Sequence, residues 1–352
     1  MHPAGGLCVG CNLAPVLTQK RRSFSAIVKE GLIGRRDAFK TMARMRQTAA
    51  SPQDQAETSA GQSTLRGRIK GGQAMIARLT GAILRAAFVV LLIITPSVLL
   101  PGTSPDTTLI VAFMAVLAAA FTIVEYTTTY PSLVEFRYAP PFNRVRFGAL
   151  FVTVFMLAMI LRGQDDPSTL SQFLGFIGMQ MADVIDFPYS PVRLAILMLP
   201  ESAAADQIAH VRLAAGISYL VSVLSLVLFV IVLRLSGWPR QREGFNVWLN
   251  LPTFDPTAGG DVLYRLSRDS QINLVLGFLL PFLIPAVIKL AADLFDPVSL
   301  TDPHTLIWTM TAWAFLPASL LMRGIALGRV AQMIGDQRRR AHAANGGKSQ
   351  PA

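Results

Sequence analysis

Residues 213–234 read LAAGISYLVSVLSLVLFVIVLR. A bilayer core roughly 30 Å thick is crossed by about 20 apolar residues wound as a helix, and this stretch has that length and character. Five more segments read the same way, near 81–100, 108–129, 147–161, 272–294 and 305–326. Lipid offers no partner to free backbone N–H and C=O groups, so spans of this kind must be helical. The expected fold is an all-α integral membrane protein with six transmembrane helices and one interfacial or re-entrant helix. The expected organisation is a basic, disordered cytoplasmic tail over 1–80, a membrane domain over 81–328 and a second basic cytoplasmic tail over 329–352.

Composition supports the bilayer. Apolar residues make up 52% of the chain and charged residues 15%, against roughly 45–50% and about 25% in soluble proteins. The connections divide into two kinds. Residues 130–146 carry Arg137, Arg144 and Arg146 against Glu135, and residues 235–271 carry Arg240, Arg242, Arg265 and Arg268. Both tails are also rich in arginine. The connections 101–107, 162–212 and 295–304 are poor in basic residues or dominated by acids. Basic and poor segments alternate without a break, as expected for six spans with both termini cytoplasmic. Most of the formal net charge of +11 then faces an anionic leaflet. No nucleic-acid-binding module is visible, and nucleic acid is not an expected partner. Lysine is scarce beside arginine and alanine is abundant. That bias suggests a GC-rich bacterial genome and so a bacterial inner (plasma) membrane, with an organelle inner membrane as the alternative.

The tail offers little chemistry. Residues 51–63, SPQDQAETSAGQS, have too little apolar surface to offset ordering entropy. Beside the flexible tail, two other readings stand: a start-site artefact, since Met42, Met45 or Met75 could each begin a chain, and an acid-poor transit peptide over 1–50. Cys8 and Cys11 form a lone C-x-x-C without the four ligands zinc wants or the βαβ setting of a redox site. No cofactor and no metal site is expected.

Ionisable residues inside spans are functional candidates by default. They are Arg85, Glu125, Lys289, Asp293 and Arg323. Most lie near span ends, where a long side chain reaches the interface. The span 272–294 is unusual. Asn273, Gly277, Pro281, Pro285, Lys289 and Asp293 recur every four residues and so form one slowly winding ridge. Its two prolines remove backbone donors, and the freed carbonyls need partners on neighbouring helices or water. The ridge is a candidate cavity lining or hinge, with a Lys289–Asp293 pair at its outer end. The competing reading is a packed, kinked helix. In the span 213–234, Ala214, Ser218, Ser222 and Ser225 form a small-residue face suited to close helix packing. A serine nucleophile there would need a base, and His210 is roughly two turns away.

Two connections are long enough to have structure of their own. Residues 170–200 are apolar, with a helical stripe of Phe173, Phe176, Ile177, Gln180 and Val184 ended by Pro188 and Pro191. Neither half can span a bilayer. This is the expected interfacial or re-entrant helix, and it is also a candidate docking surface. Residues 238–271 hold Asn250, Thr253, Asp255, Thr257 and Asp261, whose spacing matches no calcium loop, and Gly259-Gly260 without the Lys of a phosphate loop. A docking loop with interfacial Trp248 is the favoured reading. The function expected from these features is a non-enzymatic accessory or assembly component of a larger membrane complex. It would contact lipid and other membrane subunits through 170–200 or 238–271. The alternative is a small-solute transporter or channel lined by the proline-bearing span.

Overall fold

The computed structural model describes residues 52–128, 132–137, 140–239, 250–252, 254, 259–294 and 300–346. Cys8, Cys11, Met42, Met45, Trp248, Thr253, Asp255 and Thr257 lie outside them, as does the side chain of Asp293. Among the described residues all regular structure is helical. The helices are α1 (Pro52–Leu99), α2 (Pro105–Thr127), α3 (Pro140–Asp165), α4 (Thr169–Ile185), α5 (Pro191–Ala195), α6 (Ala205–Ser236), α7 (Val262–Leu294) and α8 (Pro303–Gly346). A short 3₁₀ turn, Ile196–Met198, follows α5. Six of these helices are long and apolar enough to cross a membrane: α1 from Met75, α2, α3 from Pro141, α6, α7 to Ala292 and α8 to Ala343.

The chain divides into two compact units, Met1–Ile76 and Ala77–Ala352. The described part of the first is the N-terminal half of α1. Residues 52–63, expected to lack regular structure, are helical there. They include Gln, Ala and Glu, which are good helix formers, and a helix once nucleated in the apolar stretch propagates at low cost. The same reason extends α8 beyond the expected boundary at 328, through Arg-, Ala- and Gln-rich turns to Gly346. Apolar counting finds where hydrocarbon would end, whereas the helical hydrogen bonds continue past it.

Local signals set several boundaries. Ser104 accepts from the backbone N–H of Thr107 and precedes Pro105 at the first helical turn, the position where proline's missing donor costs nothing. Ser168 and Ser171 bond reciprocally at the start of α4. α6 ends at Gly237 in the left-handed conformation (φ 59°), which glycine adopts without strain.

The second unit packs as a layered helix set. α7 and α8 are antiparallel, with Ser270 bonded to Gly324 and Trp313 bonded to Pro281. α3 and α8 both pack on α6, and α4 lies against α3 and α6. The buried apolar side chains form two clusters. One joins Val154–Leu161 of α3, Val211–Ile217 of α6 and Leu306–Ala314 of α8. The other gathers Phe136, Phe142, Phe229, Leu251, Leu266 and Met322 where the arginine-rich connections converge. There the backbone N–H of Phe136 donates to the Asn250 carbonyl at 2.7 Å, tying the connections 132–137 and 250–252 together.

Candidate functional site

The ridge of α7 faces the protein. Asn273, Gly277, Pro281 and Pro285 are buried, while Ile272, Val275, Leu276, Phe278 and Leu279 on the other faces are exposed. The seam with α8 is tight. A methyl group added at Gly277 would stand 2.8 Å from the Pro317 carbonyl oxygen and 2.9 Å from the Leu321 nitrogen. Pro285 removes the donor that would have bonded the Pro281 carbonyl. Trp313, which is 1% exposed, supplies a replacement: its indole N–H donates to that oxygen at 3.0 Å.

At the upper ridge the expected pairing of Lys289 with Asp293 falls outside the described residues, and a second acid approaches the lysine. The ammonium of Lys289 lies 3.5 Å from Glu201, an acid in the connection after the 3₁₀ turn. An acid from outside the helix therefore faces the ridge, which i,i+4 arithmetic does not reveal.

Ala214, Ser218, Ser222 and Ser225 are all buried on α6. Ser222 donates to the Ala314 carbonyl on α8 at 3.0 Å, and Ser225 donates to the Ser222 carbonyl. Beside them lies an apolar groove of about 100 Å³ between α6, α7 and α8. Tyr219, Ser222, Gly277, Pro281, Ala314 and Pro317 contribute to its walls, and Lys289 does not.

The strongest polar constellation sits at the opposite end of the ridge. Arg323 on α8 grips Glu135 with two parallel bonds, Nε to Oε2 at 2.6 Å and Nη2 to Oε1 at 2.7 Å. Its third nitrogen donates to Asn273 Oδ1 at 3.0 Å. Asn273 in turn donates to the Asp269 carbonyl. Arg146 of α3 lies near enough to interact with the charges of Glu135 and Arg323, with its guanidinium 5.0 Å above the Phe142 ring. This fork-to-fork geometry fixes orientation as well as charge. It joins α3, α7, α8 and the connection 132–137 at one point. Glu135 and Arg146 were not singled out from the sequence. The available signal was that Glu135 is the one acid in a basic connection.

A second lock closes the turn after α2. The Glu125 carboxylate accepts from the backbone N–H groups of Ser132, Leu133 and Val134 and from the Ser132 hydroxyl. Arg137 donates back to the carbonyls of Glu125 and Thr128, which the helix end leaves open. Arg85 and Arg137 both lie over the Tyr126 ring, at 4.6 and 5.7 Å. Outside the apolar helices, Asp261 accepts from Arg338 at 2.6 Å. That bond, with the Leu263 N–H, holds its carboxyl below the ordinary aspartate range.

Four of the five ionisable span residues thus have structural partners, and the fifth, Asp293, has its side chain outside the described residues. Among the described residues no group of three His, Cys, Asp or Glu side chains is placed to hold a metal ion. The expected docking helix, α4, turns Ser171, Leu174, Gly178 and Ala182 inward. It approaches α6 so closely that a methyl at Gly216 would stand 2.8 Å from the Gly178 carbonyl oxygen. Of the stripe read from the sequence, Phe173, Phe176, Gln180 and Val184 are exposed and Ile177 is half-buried. Helix α2 is barer still: only 6% of its most apolar window is buried inside the protein, against 44% for α6 and 56% for α8. Comparison with protein families, with curated proteins and with solved structures finds no match for this chain.

Proposed function

We propose that the protein is a multi-pass membrane protein that acts as a non-enzymatic accessory or assembly component of a larger membrane complex. The single observation that carries this reading is the uncovered apolar surface of α2, an apolar helix that its own chain leaves almost bare. The outward face of α4, with Phe173 and Phe176, extends the surface available to other subunits through residues 170–200. Residues 238–271 are the second proposed contact region. The internal polar groups favour a scaffold: Glu125 and Arg323 are held by neighbours and the Pro281 carbonyl is held by Trp313. The proposed setting is the inner membrane of a bacterium with both termini cytoplasmic, or else an organelle inner membrane.

The alternative is a small-solute transporter or channel lined by α7. The groove between α6, α7 and α8 favours it. The tight Gly277 contact with α8 weighs against a wide path along the ridge. Photo-crosslinking residues at Phe113 on α2 and Phe173 on α4 test the proposal in native membranes. One discrete protein adduct from both positions supports a subunit role. Lipid adducts alone from both positions sink it.

A further inference from the structure

The arginine-rich end of the helix set holds a second pocket, of about 240 Å³, between the end of α6 and the distal part of α8. Arg234, Trp238, Arg329, Gln332 and Asp336 are among its lining residues. We infer that this pocket binds a phosphate-bearing anion, with the headgroup of an anionic phospholipid as the ligand class that suits its position. The inference rests on the membrane reading above.

The charge balance comes first. Among the described residues neither Arg234 nor Arg329 has an ion pair or hydrogen bond to another side chain. Among the described lining residues the one acid is Asp336, and it is already engaged by Arg339 at 2.7 Å. Two uncommitted guanidinium groups therefore face one space, and guanidinium is the side chain best matched to phosphate oxygens. The end of α6 presents a partial negative charge, which opposes an anion weakly. Two full positive charges outweigh it.

Position comes second. Arg234 follows directly on the apolar run of α6 and so stands where hydrocarbon would give way to headgroups. Arg329 lies six residues beyond Arg323 on α8, about 9 Å further along the axis. Trp238 adds the amphipathic ring that membrane interfaces favour. Basic pockets between membrane helices on the cytoplasmic side are the setting in which lipid headgroups are bound.

The test uses the full chain in detergent, the double variant R234Q/R329Q and the control R144Q, which removes an exposed arginine that does not line this pocket. Native mass spectrometry measures retained phosphatidylglycerol and phosphatidylcholine, and a parallel titration uses inorganic phosphate. The expected result is preferential retention of phosphatidylglycerol by the unaltered chain and by R144Q. The double variant should bind it about thirtyfold more weakly, since two arginines at about 1 kcal/mol each remove about 2 kcal/mol. Binding of inorganic phosphate that is lost in the double variant, without lipid preference, keeps the site and assigns it a soluble phosphate. Equal phosphatidylglycerol retention by all three chains overturns the inference. Reconstitution into vesicles separates the two readings: a chain that enters bilayers but shows neither headgroup preference nor arginine-dependent phosphate binding refutes the pocket alone, whereas one that stays in solution refutes the membrane reading. If the double variant melts below R144Q without lipid, R234Q and R329Q are each compared singly, and retention equal to that of the unaltered chain in both overturns the inference; a loss shared with R144Q reports general charge removal and counts against the pocket.

Discussion

Trp313 is the residue on which the proline-bearing helix depends. Its indole N–H fills the gap that Pro285 opens at the Pro281 carbonyl. Trp313→Phe keeps most of the packing and removes the donor. The carbonyl is then buried without a partner, a loss of about 1–3 kcal/mol. Thermal melting in detergent should show the variant clearly below the parent chain. Unchanged stability would mean that the oxygen finds another donor. Glu135 offers a sharper case. Its side chain is 11% exposed and held by a bidentate guanidinium, so losing its charge leaves Arg323 with neutral acceptors only, Asn273 among them. Because Arg323 is 29% exposed, Glu135→Gln should cost less than a fully buried pair, about 1–3 kcal/mol. Replacing both partners, Glu135→Gln with Arg323→Met, should recover much of it. A double-mutant cycle measures the recovery, and strictly additive losses would show that the pair is not coupled.

At the scale of elements, α7 and α8 form the most extensive helix pair described. Gly277→Leu drives a side chain into the Pro317 and Leu321 backbone. Backbone cannot give way as a flexible side chain can, so the helices must part, at a cost of about 1–3 kcal/mol or more. The melting temperature of that variant should fall further than that of Asp293→Leu, whose ammonium neighbour Lys289 has Glu201 within 3.5 Å. Equal and negligible shifts would mean the seam is loose. The order of elements also carries the topology. Single cysteines introduced as Ser104→Cys and Ser299→Cys should react with an impermeant reagent applied outside the cell, and Pro140→Cys and Asp255→Cys should not. The reverse pattern removes the proposed orientation.

For the whole molecule, the second unit contains the two apolar clusters, the charged cluster and the groove. A truncated chain beginning at Met75 should still enter the membrane and melt in detergent near the temperature of the full chain. Loss of membrane entry would assign targeting information to residues before Met75 and strengthen the organelle alternative.

The sequence by itself determined the number and approximate position of the apolar helices, because an 18- to 25-residue apolar run is a local property that needs no neighbour to be read. It also determined the periodic ridge Asn273–Gly277–Pro281–Pro285, since helical geometry alone puts residues four apart on one side. The helical character of 170–185 was legible for the same reason, through the stripe from Phe173 to Val184. What the sequence could not determine was which surface each stripe meets. The residues that satisfy the polar groups lie far away in the chain: Trp313 for Pro281, Arg323 for Glu135, Glu201 for Lys289, Ala314 for Ser222. Any of several donors or acids satisfies the chemistry equally well on paper. Only the tertiary structure, by bringing α3, α6, α7 and α8 within hydrogen-bonding distance, decided which ones do, and left Arg234 and Arg329 facing the same open space.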